Sequence, residues 1–221
     1  MFIEQEKTAP PITVICADNH EIFRQGLLAL LKTIEAIETL CQAANGIDAW
    51  HHIKQFRPDV AILEIHLPGL SGLDIARNSV QAGLPTQFVL LTAYEDPLTA
   101  IEAQKAGVAG FVVKSNSFEE LMLAVRTVHH GGTFMTGSIR AKLQEWHRQG
   151  KPNIALSPRE REVIRLISLG NGSKEIARIL DICPRTVGTY RERSMEKLDL
   201  HSVADVVRYA VRAGMVGCDE K

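Results

Sequence analysis

Between residues 12 and 130 the apolar positions follow two alternating patterns. Short, nearly continuous apolar runs occur at 12–17, 37–44, 60–63, 87–92 and 109–113. An apolar run of this length between turn signals reads as a strand buried on both faces. The intervening segments, 21–32, 47–56, 73–82, 97–106 and 118–129, carry apolar residues three or four apart. The first of them shows Ile22, Phe23, Leu27, Leu28, Leu30 and Leu31. That spacing predicts helices with one apolar face. Strands alternating with helices, joined by right-handed crossovers, predict an α/β unit: a (βα)5 doubly wound parallel sheet with helices on both faces.

Polar residues collect where these runs end: Asp18 and Asn19 after the first, Glu64 after the third, Thr92 after the fourth, Lys114 after the fifth. Open parallel sheets carry their chemistry at the carboxyl ends of the strands. Singly, each residue reads as a strand-end cap or loop position; together they mark a candidate site. The most informative stretch is 58–72. There the run ends in one carboxylate, Glu64, and Leu67-Pro68-Gly69 and Gly72 then break the strand.

From Leu156 the pattern turns entirely helical. Ser157-Pro158-Arg159-Glu160 is a helix start, with Ser at the cap, Pro at the first helical position and an acid in the first turn. This helix is expected to end near Leu169, before Gly170-Asn171-Gly172. Ser173 is expected to cap a second, 174–180, with Ile176, Ala177, Ile179 and Leu180 inward. Pro184 opens a third that reaches Leu198, and Ser202 caps a fourth that ends near Ala213-Gly214. Two short helices joined by a few residues, the second amphipathic and cationic, predict a helix-turn-helix in an all-α four-helix unit. The expected division is 12–130, a linker at 131–153 able to hold a short helix around 139–143, and 154–217. Residues 1–11 are expected to be a disordered leader.

Composition narrows the class. With 45% hydrophobic and 23% charged residues in 221, the chain is an ordinary globular protein. No apolar run approaches a membrane span and the start lacks a signal-peptide pattern, so a cytoplasmic protein is expected. Cys16, Cys41, Cys183 and Cys218 form no C-x-x-C pair. The adjacent pairs His51-His52 and His129-His130 point about 100° apart on a helix and make poor chelates. No nucleophile triad, P-loop or zinc spacing is visible, and no enzymatic activity is expected. Charge is uneven: residues 154–218 hold 11 Lys/Arg against 8 Asp/Glu, whereas 1–153 hold 13 against 16. A mildly basic C-terminal unit suits contact with nucleic acid.

Both parts resemble a bacterial response regulator of the NarL/FixJ type, a flavodoxin-like receiver domain followed by a LuxR-type DNA-binding domain. The C-terminal resemblance rests on the run from Leu156 to Ile164, on Lys174-Glu175-Ile176-Ala177, Thr186-Val187 and Lys197-Leu198. The N-terminal one rests on Pro58-Asp59, Leu67-Pro68-Gly69, Gly72, Leu91-Thr92-Ala93, Ala106-Gly107, Gly110-Phe111 and Lys114. It implies an aspartate phosphoacceptor after the third strand and an acidic pair after the first that holds Mg²⁺. A Thr or Ser and a Lys would bind the phosphoryl group. Thr92 and Lys114 match the last two, and Phe111 matches an aromatic position that changes rotamer on activation.

Two positions depart from that pattern. Glu64 stands at the acceptor position, and its extra methylene moves the carboxylate outward by about 1.5 Å, while in-line transfer tolerates little misplacement. Asn19 stands in the second place of the acidic pair, leaving Asp18 as the one metal-binding acid. Weak Mg²⁺ binding and no other cofactor are therefore expected. The leading expectation is a transcription regulator that works without Asp phosphorylation, with Glu64 reaching toward Lys114 as a partial phosphoryl mimic. Alternatives are a decayed pocket kept as a dimerisation scaffold, an engineered Asp-to-Glu change, and a ligand or redox sensor using this fold, with the receiver-like pocket or Cys16 and Cys41 as receptor.

For the DNA end the candidate contacts are Lys174, Arg185, Thr186, Gly188, Thr189, Glu192, Arg193 and Lys197. Arg185 and Arg193 suit phosphate or guanine, Thr189 a thymine methyl, and Glu192 cytosine N4. The family usually has Lys at position 188 and His at 190, where this chain has Gly188 and Tyr190. The last helix, with Val203, Val206, Val207 and Ala210, is similar to the family's dimerising helix. The expected partners are a second copy of the chain and double-stranded DNA at a pseudo-palindromic site. A sensor kinase is the further partner the resemblance implies, and the Glu64 substitution argues against it.

Overall fold

The structure is a computed structural model that describes residues 10–93, 95–148, 156–213 and 215–216. Most of the expected leader, residues 149–153 of the expected linker, Gly214 and Cys218 lie outside the described residues.

The N-terminal unit is built from β1 (Ile12–Ala17), α1 (Glu21–Leu31), β2 (Ile37–Ala43), α2 (Gly46–Phe56), β3 (Val60–Glu64), α3 (Gly72–Gln81), β4 (Gln87–Thr92), α4 (Pro97–Lys105), β5 (Gly110–Val113) and α5 (Phe118–His129). The strands run in the order β2-β1-β3-β4-β5, all parallel. Every residue of β3 is buried, as a central parallel strand requires. One face of the sheet packs Ala49, Ile53, Leu73, Ile75, Ala100 and Ile101 from α2, α3 and α4. The other packs Leu27 and Leu31 of α1 and Leu121, Val125 and Val128 of α5.

The stretch expected as a linker carries more structure than a short helix. Residues Phe134–Met135 form β6, a sixth parallel strand beside β5, and Gly137–Arg148 form α6. Ile139 and Leu143 of α6 are buried in the core that faces α4. The sequence pattern concealed this because a two-residue strand has no measurable period, while α6 shows a single thin apolar stripe on an otherwise polar helix.

The C-terminal unit comprises α7 (Pro158–Ser168), α8 (Ser173–Leu180), α9 (Pro184–Lys197) and α10 (Val203–Arg212). Its core is Val163, Ile164, Ile167, Ile176, Val187, Leu198, Val206 and Ala210. At the start of α7 the capping box closes in full: Glu160 N–H donates to Ser157 Oγ, and Ser157 N–H donates to Glu160 Oε2 at 2.8 Å. Ser173 is the first helical residue of α8 rather than its cap. Gly172 holds that place, its N–H donating to Glu175 Oε2 at 2.7 Å. Ile179, expected to face inward, is 56% exposed because α8 has fewer than three turns and buries only its Ile176–Ala177 side. Asp181 turns the chain into α9 at φ 52°, a left-handed conformation that a short polar side chain tolerates.

Gly188 lies inside α9 with open space where a Cβ would stand. Gly188→Ala is therefore expected to stabilise the C-terminal unit by about 0.5–1 kcal/mol, read as a higher urea midpoint at unchanged slope.

Candidate functional site

Two glycines shape the loop behind Glu64. A Cβ on Gly72 would stand 2.5 Å from the Glu64 carbonyl oxygen, and one on Gly46 would stand 1.7 Å from that of Leu70. Only glycine permits these approaches. Gly72 N–H donates to Ile65 O at 3.0 Å and Gly46 N–H to Pro68 O at 2.9 Å, which fixes residues 65–72 over the end of β3. The loop thereby aims Glu64 and His66 at one spot.

Asp18, Glu64 and Lys114 meet there. Lys114 Nζ lies 2.7 Å from Asp18 Oδ2 and pairs with Glu64 Oε2. Both carboxylates are buried. The Asp18 oxygen is close to the ammonium yet accepts no well-directed hydrogen bond. Lys114 also sits over the Phe23 ring, 4.6 Å from its centroid. Burial by itself would raise the Glu64 carboxyl. The hydrogen bond from His66 and the Lys114 charge outweigh it and bring Glu64 down to about 2.

Two histidines that the sequence reading passed over complete the pocket. His20 Nδ1 is 3.0 Å from Asp18 Oδ1, whose other hydrogen bond comes from His20 N–H at 2.8 Å. His66 N–H donates to Glu64 Oε1 at 3.1 Å, with the ring Nδ1 3.3 Å from the same oxygen. Each is two residues after a site carboxylate, a spacing that alone signals nothing. Asn19, by contrast, is exposed. Thr92 is buried at the end of β4, and its carbonyl accepts from Lys114 N–H at 2.8 Å. Phe111 is buried on the α4 side of the sheet, lining a cavity of about 280 Å³ between α4, β5 and α6.

The donors present do not suit Mg²⁺. Asp18, His20 and Glu64 offer ligand atoms within 4.8 Å of one another. However, Lys114 already lies against both carboxylates, where a hard cation would have to sit, and an imidazole replaces a third oxygen.

The second surface is α9. Arg185, Thr189, Glu192, Arg193 and Glu196 are exposed, while Val187 and Leu198 are buried. Lys174 is exposed on α8, and Thr186 and Gly188 are half-buried. Thr189 Oγ1 donates back to Arg185 O at 3.2 Å. Lys197 is not part of the exposed cationic set. Its ammonium donates to both oxygens of buried Glu160, at 2.7 and 2.8 Å, tying α9 to the start of α7. Helical spacing could not reveal this, because Lys197 leans toward a neighbour distant in sequence.

Between the units lies a third cluster. Buried Glu102 of α4 accepts from Arg161 of α7 at 2.7 Å, from the Tyr209 hydroxyl of α10 at 2.8 Å, and from Arg77 of α3 at 3.3 Å. Leu98 packs into the C-terminal core, and Trp146 of α6 packs against both cores. Burial, then the neighbouring Glu102 charge, holds the Tyr209 hydroxyl protonated, well above its ordinary range.

A parallel-sheet unit with an acid and a lysine at its strand ends, followed by a helix-turn-helix unit, defines a response regulator. Residues 14–126 match the response regulator receiver domain, and residues 154–210 match the bacterial regulatory proteins of the luxR family. The chain belongs to the NarL/FixJ family of response regulators, DNA-binding regulators of transcription. It is 33% identical over 211 residues to the oxygen regulatory protein NreC of Staphylococcus epidermidis, covering 90% of this chain and 96% of NreC. It is 29% identical to the response regulator UvrY of Escherichia coli K12, covering 94% and 97%. Its fold is similar to that of RcsB from Salmonella enterica serovar Typhimurium, solved bound to promoter rprA. There the TM-score is 0.68 at 21% identity, covering 90% of this chain and 98% of that one. The receiver domain of the putative response regulator NarL from Mycobacterium tuberculosis matches 56% of this chain and 99% of that one, at 30% identity and a TM-score of 0.54. Among the described residues no helix is long and apolar enough to cross a membrane.

Proposed function

We propose that this chain is a cytoplasmic, homodimeric transcription regulator whose receiver works without phosphorylation of an aspartate. The observation that carries the reading is the ion pair between Glu64 and Lys114. In the family's chemistry that lysine binds the attached phosphoryl group, and here a carboxylate on the acceptor strand already holds it. A carboxylate supplies one negative charge against about 1.5 to 2 for a phosphoryl group, so the mimicry is partial. Both Glu64 oxygens are engaged, one by Lys114 and the other by His66, and in-line attack tolerates little displacement of a carboxylate held in this way. The sensor kinase has no role in this reading, and neither does Mg²⁺.

Incubation with acetyl phosphate and Mg²⁺, followed by intact-mass analysis, is expected to show no gain of a phosphoryl group. A stoichiometric gain would overturn the proposal. Glu64→Asp is the companion variant: it restores the acceptor but not the second acid, so slow partial labelling is expected.

On DNA, α9 enters the major groove and α8 crosses the backbone, with two copies reading a pseudo-palindrome. The exposed Arg185 and Arg193 support this, as does likeness of fold to RcsB, which has been solved on promoter DNA. The redox alternative loses ground. Cys16 is buried, and burial above all pushes its thiol up to about 12, far from a reactive thiolate. Cys41 packs on the opposite face of the sheet from Cys16, since Ile15 rather than Cys16 is its partner in the β1–β2 register. A disulfide between them would have to pass through the sheet. The cavities that a ligand sensor could draw on include one of about 250 Å³ between α1 and α5 and one of about 280 Å³ between α4, β5 and α6, both just under the usual range for ligand sites.

A further inference from the structure

Gly26 stands in the middle of α1, where nothing in the chain itself requires a glycine. A Cβ there would meet nothing within 4 Å, and the backbone has no positive φ at this position, so neither packing nor conformation calls for it. A glycine inside a helix costs stability relative to alanine. What it leaves is space: Gly26 lines the cavity of about 250 Å³ between α1 and α5. Apolar cavities of about 150 Å³ already hold a benzene ring, so this one has room for a fused two-ring molecule.

The lining restricts the chemistry of an occupant. Leu27, Leu91, Val112 and Leu121 are buried and give an apolar floor. Phe23 and Phe118 add aromatic surface, against which another ring packs favourably. Ile22 and Leu30, four residues either side of Gly26 on the same helix face, line the cavity yet remain 88% and 46% exposed. The polar groups of the lining are Lys114, Asn116 and Ser117. The Lys114 ammonium is held by Asp18 and Glu64, two carboxylates against one cation. The Ser117 hydroxyl is engaged by Glu119 and by the Glu120 N–H at the start of α5. An anionic occupant would therefore meet a surplus of negative charge. The Asn116 side-chain NH₂ donates to the Glu120 carboxylate, which can only accept; this fixes the amide and leaves its carbonyl oxygen as the acceptor it offers.

We infer that the cavity between α1 and α5 binds a small, neutral aromatic molecule that donates one hydrogen bond, from an N–H or O–H, to Asn116 Oδ1. Gly26 gives the molecule its room, the leucine and valine floor its apolar contact, and Asn116 its orientation. The site gives the chain a small-molecule input. It does not rest on Glu64 being inert to phosphorylation.

Indole is the probe. Titrated into the isotope-labelled full-length chain, it is expected to move the backbone NMR signals of α1, of residues 114–118 and of the start of α5, with a dissociation constant on the order of 0.1–1 mM. N-methylindole keeps the shape without the donor and should bind about fivefold more weakly. Asn116→Ala should erase that difference, since the two changes remove one hydrogen bond. Indoleacetate should bind at least about tenfold more weakly than indoleacetamide, which has its size without its charge. Gly26→Leu fills the cavity: it should abolish the indole shifts while raising the urea midpoint, which separates a blocked site from an unfolded chain. Absence of indole shifts in the parent, shifts spread evenly over the receiver, or a Gly26→Leu chain that responds like the parent would overturn the site. Equal affinities within either pair of compounds would overturn the assigned class of ligand. A dimer in sedimentation that Gly26→Leu dissociates, with indole silent, would give the cavity to a second copy of the chain instead. Labelling by acetyl phosphate is a separate measurement: its appearance would remove the phosphorylation-independent reading and leave these outcomes as they stand.

Discussion

Lys114→Met is expected to lower the stability of the chain by about 3–5 kcal/mol at neutral pH, the usual cost of stranding buried charges. Lys114 is the cation between Asp18 and Glu64, and the variant leaves two buried carboxylates with oxygens within 4.8 Å. The pH dependence provides the sharper signature. In the parent chain Glu64 titrates near 2 rather than its ordinary 4.5. Its contribution is thus complete above about pH 4.5 and is lost as pH falls toward 2. In the variant the two acids repel, and one carboxyl rises above its unfolded value. The folded state then binds the extra proton, so stability should grow as pH is lowered from 8 to 5. Urea midpoints over that range distinguish the cases. A variant as stable as the parent at pH 7, or one that weakens on acidification from 8 to 5, would show that Lys114 does not neutralise this pair.

The second large effect concerns DNA. Arg185→Ala and Arg193→Ala are each expected to weaken binding by about 1–3 kcal/mol, roughly 5- to 150-fold, on a site that the protein itself selects from random-sequence DNA. Both side chains are exposed on α9. A guanine contact would relax selectivity at one position. A phosphate contact would weaken all sequences alike and lower the slope of log affinity against log salt by about one. Lys197→Ala is the control on the same helix. It breaks the pair with Glu160 inside the unit, so its main effect should be lower thermal stability, with affinity restored once the folded fraction is accounted for. Equal affinity of the two arginine variants and the parent, by fluorescence anisotropy at moderate salt, would exclude α9 as the reading helix.

Much of this molecule was legible along the chain. The alternation of apolar runs and helical stripes set out five strands and five helices, because a strand buried on both faces must be apolar throughout and a half-buried helix must repeat every three to four residues. The edge positions Asp18, Glu64 and Lys114 could be read as a site because a parallel sheet delivers successive strand ends to one edge, where the structure brings these three into contact. Val187 and Leu198 lie inside and Arg185 and Arg193 outside, as helical spacing requires.

Other features arise only when distant segments meet. His66 carries no periodic signal, and only folding puts the Val211 carbonyl beside it. Glu102 looks like an ordinary polar position on α4 until Arg161 and Tyr209 arrive from the other unit. Lys197 looks like a DNA contact until Glu160 takes its charge. Periodicity records which face of an element avoids water; it carries no information about which charged group from elsewhere will occupy the polar positions. The sequence by itself thus determined the two units, their order and the residues at the strand ends. Tertiary structure decided that the acceptor-position carboxylate is already paired, and that the pocket reaches the last helix. Ion pairs and hydrogen bonds depend on positions within a few ångströms, and segments a hundred residues apart acquire those positions only when the cores close.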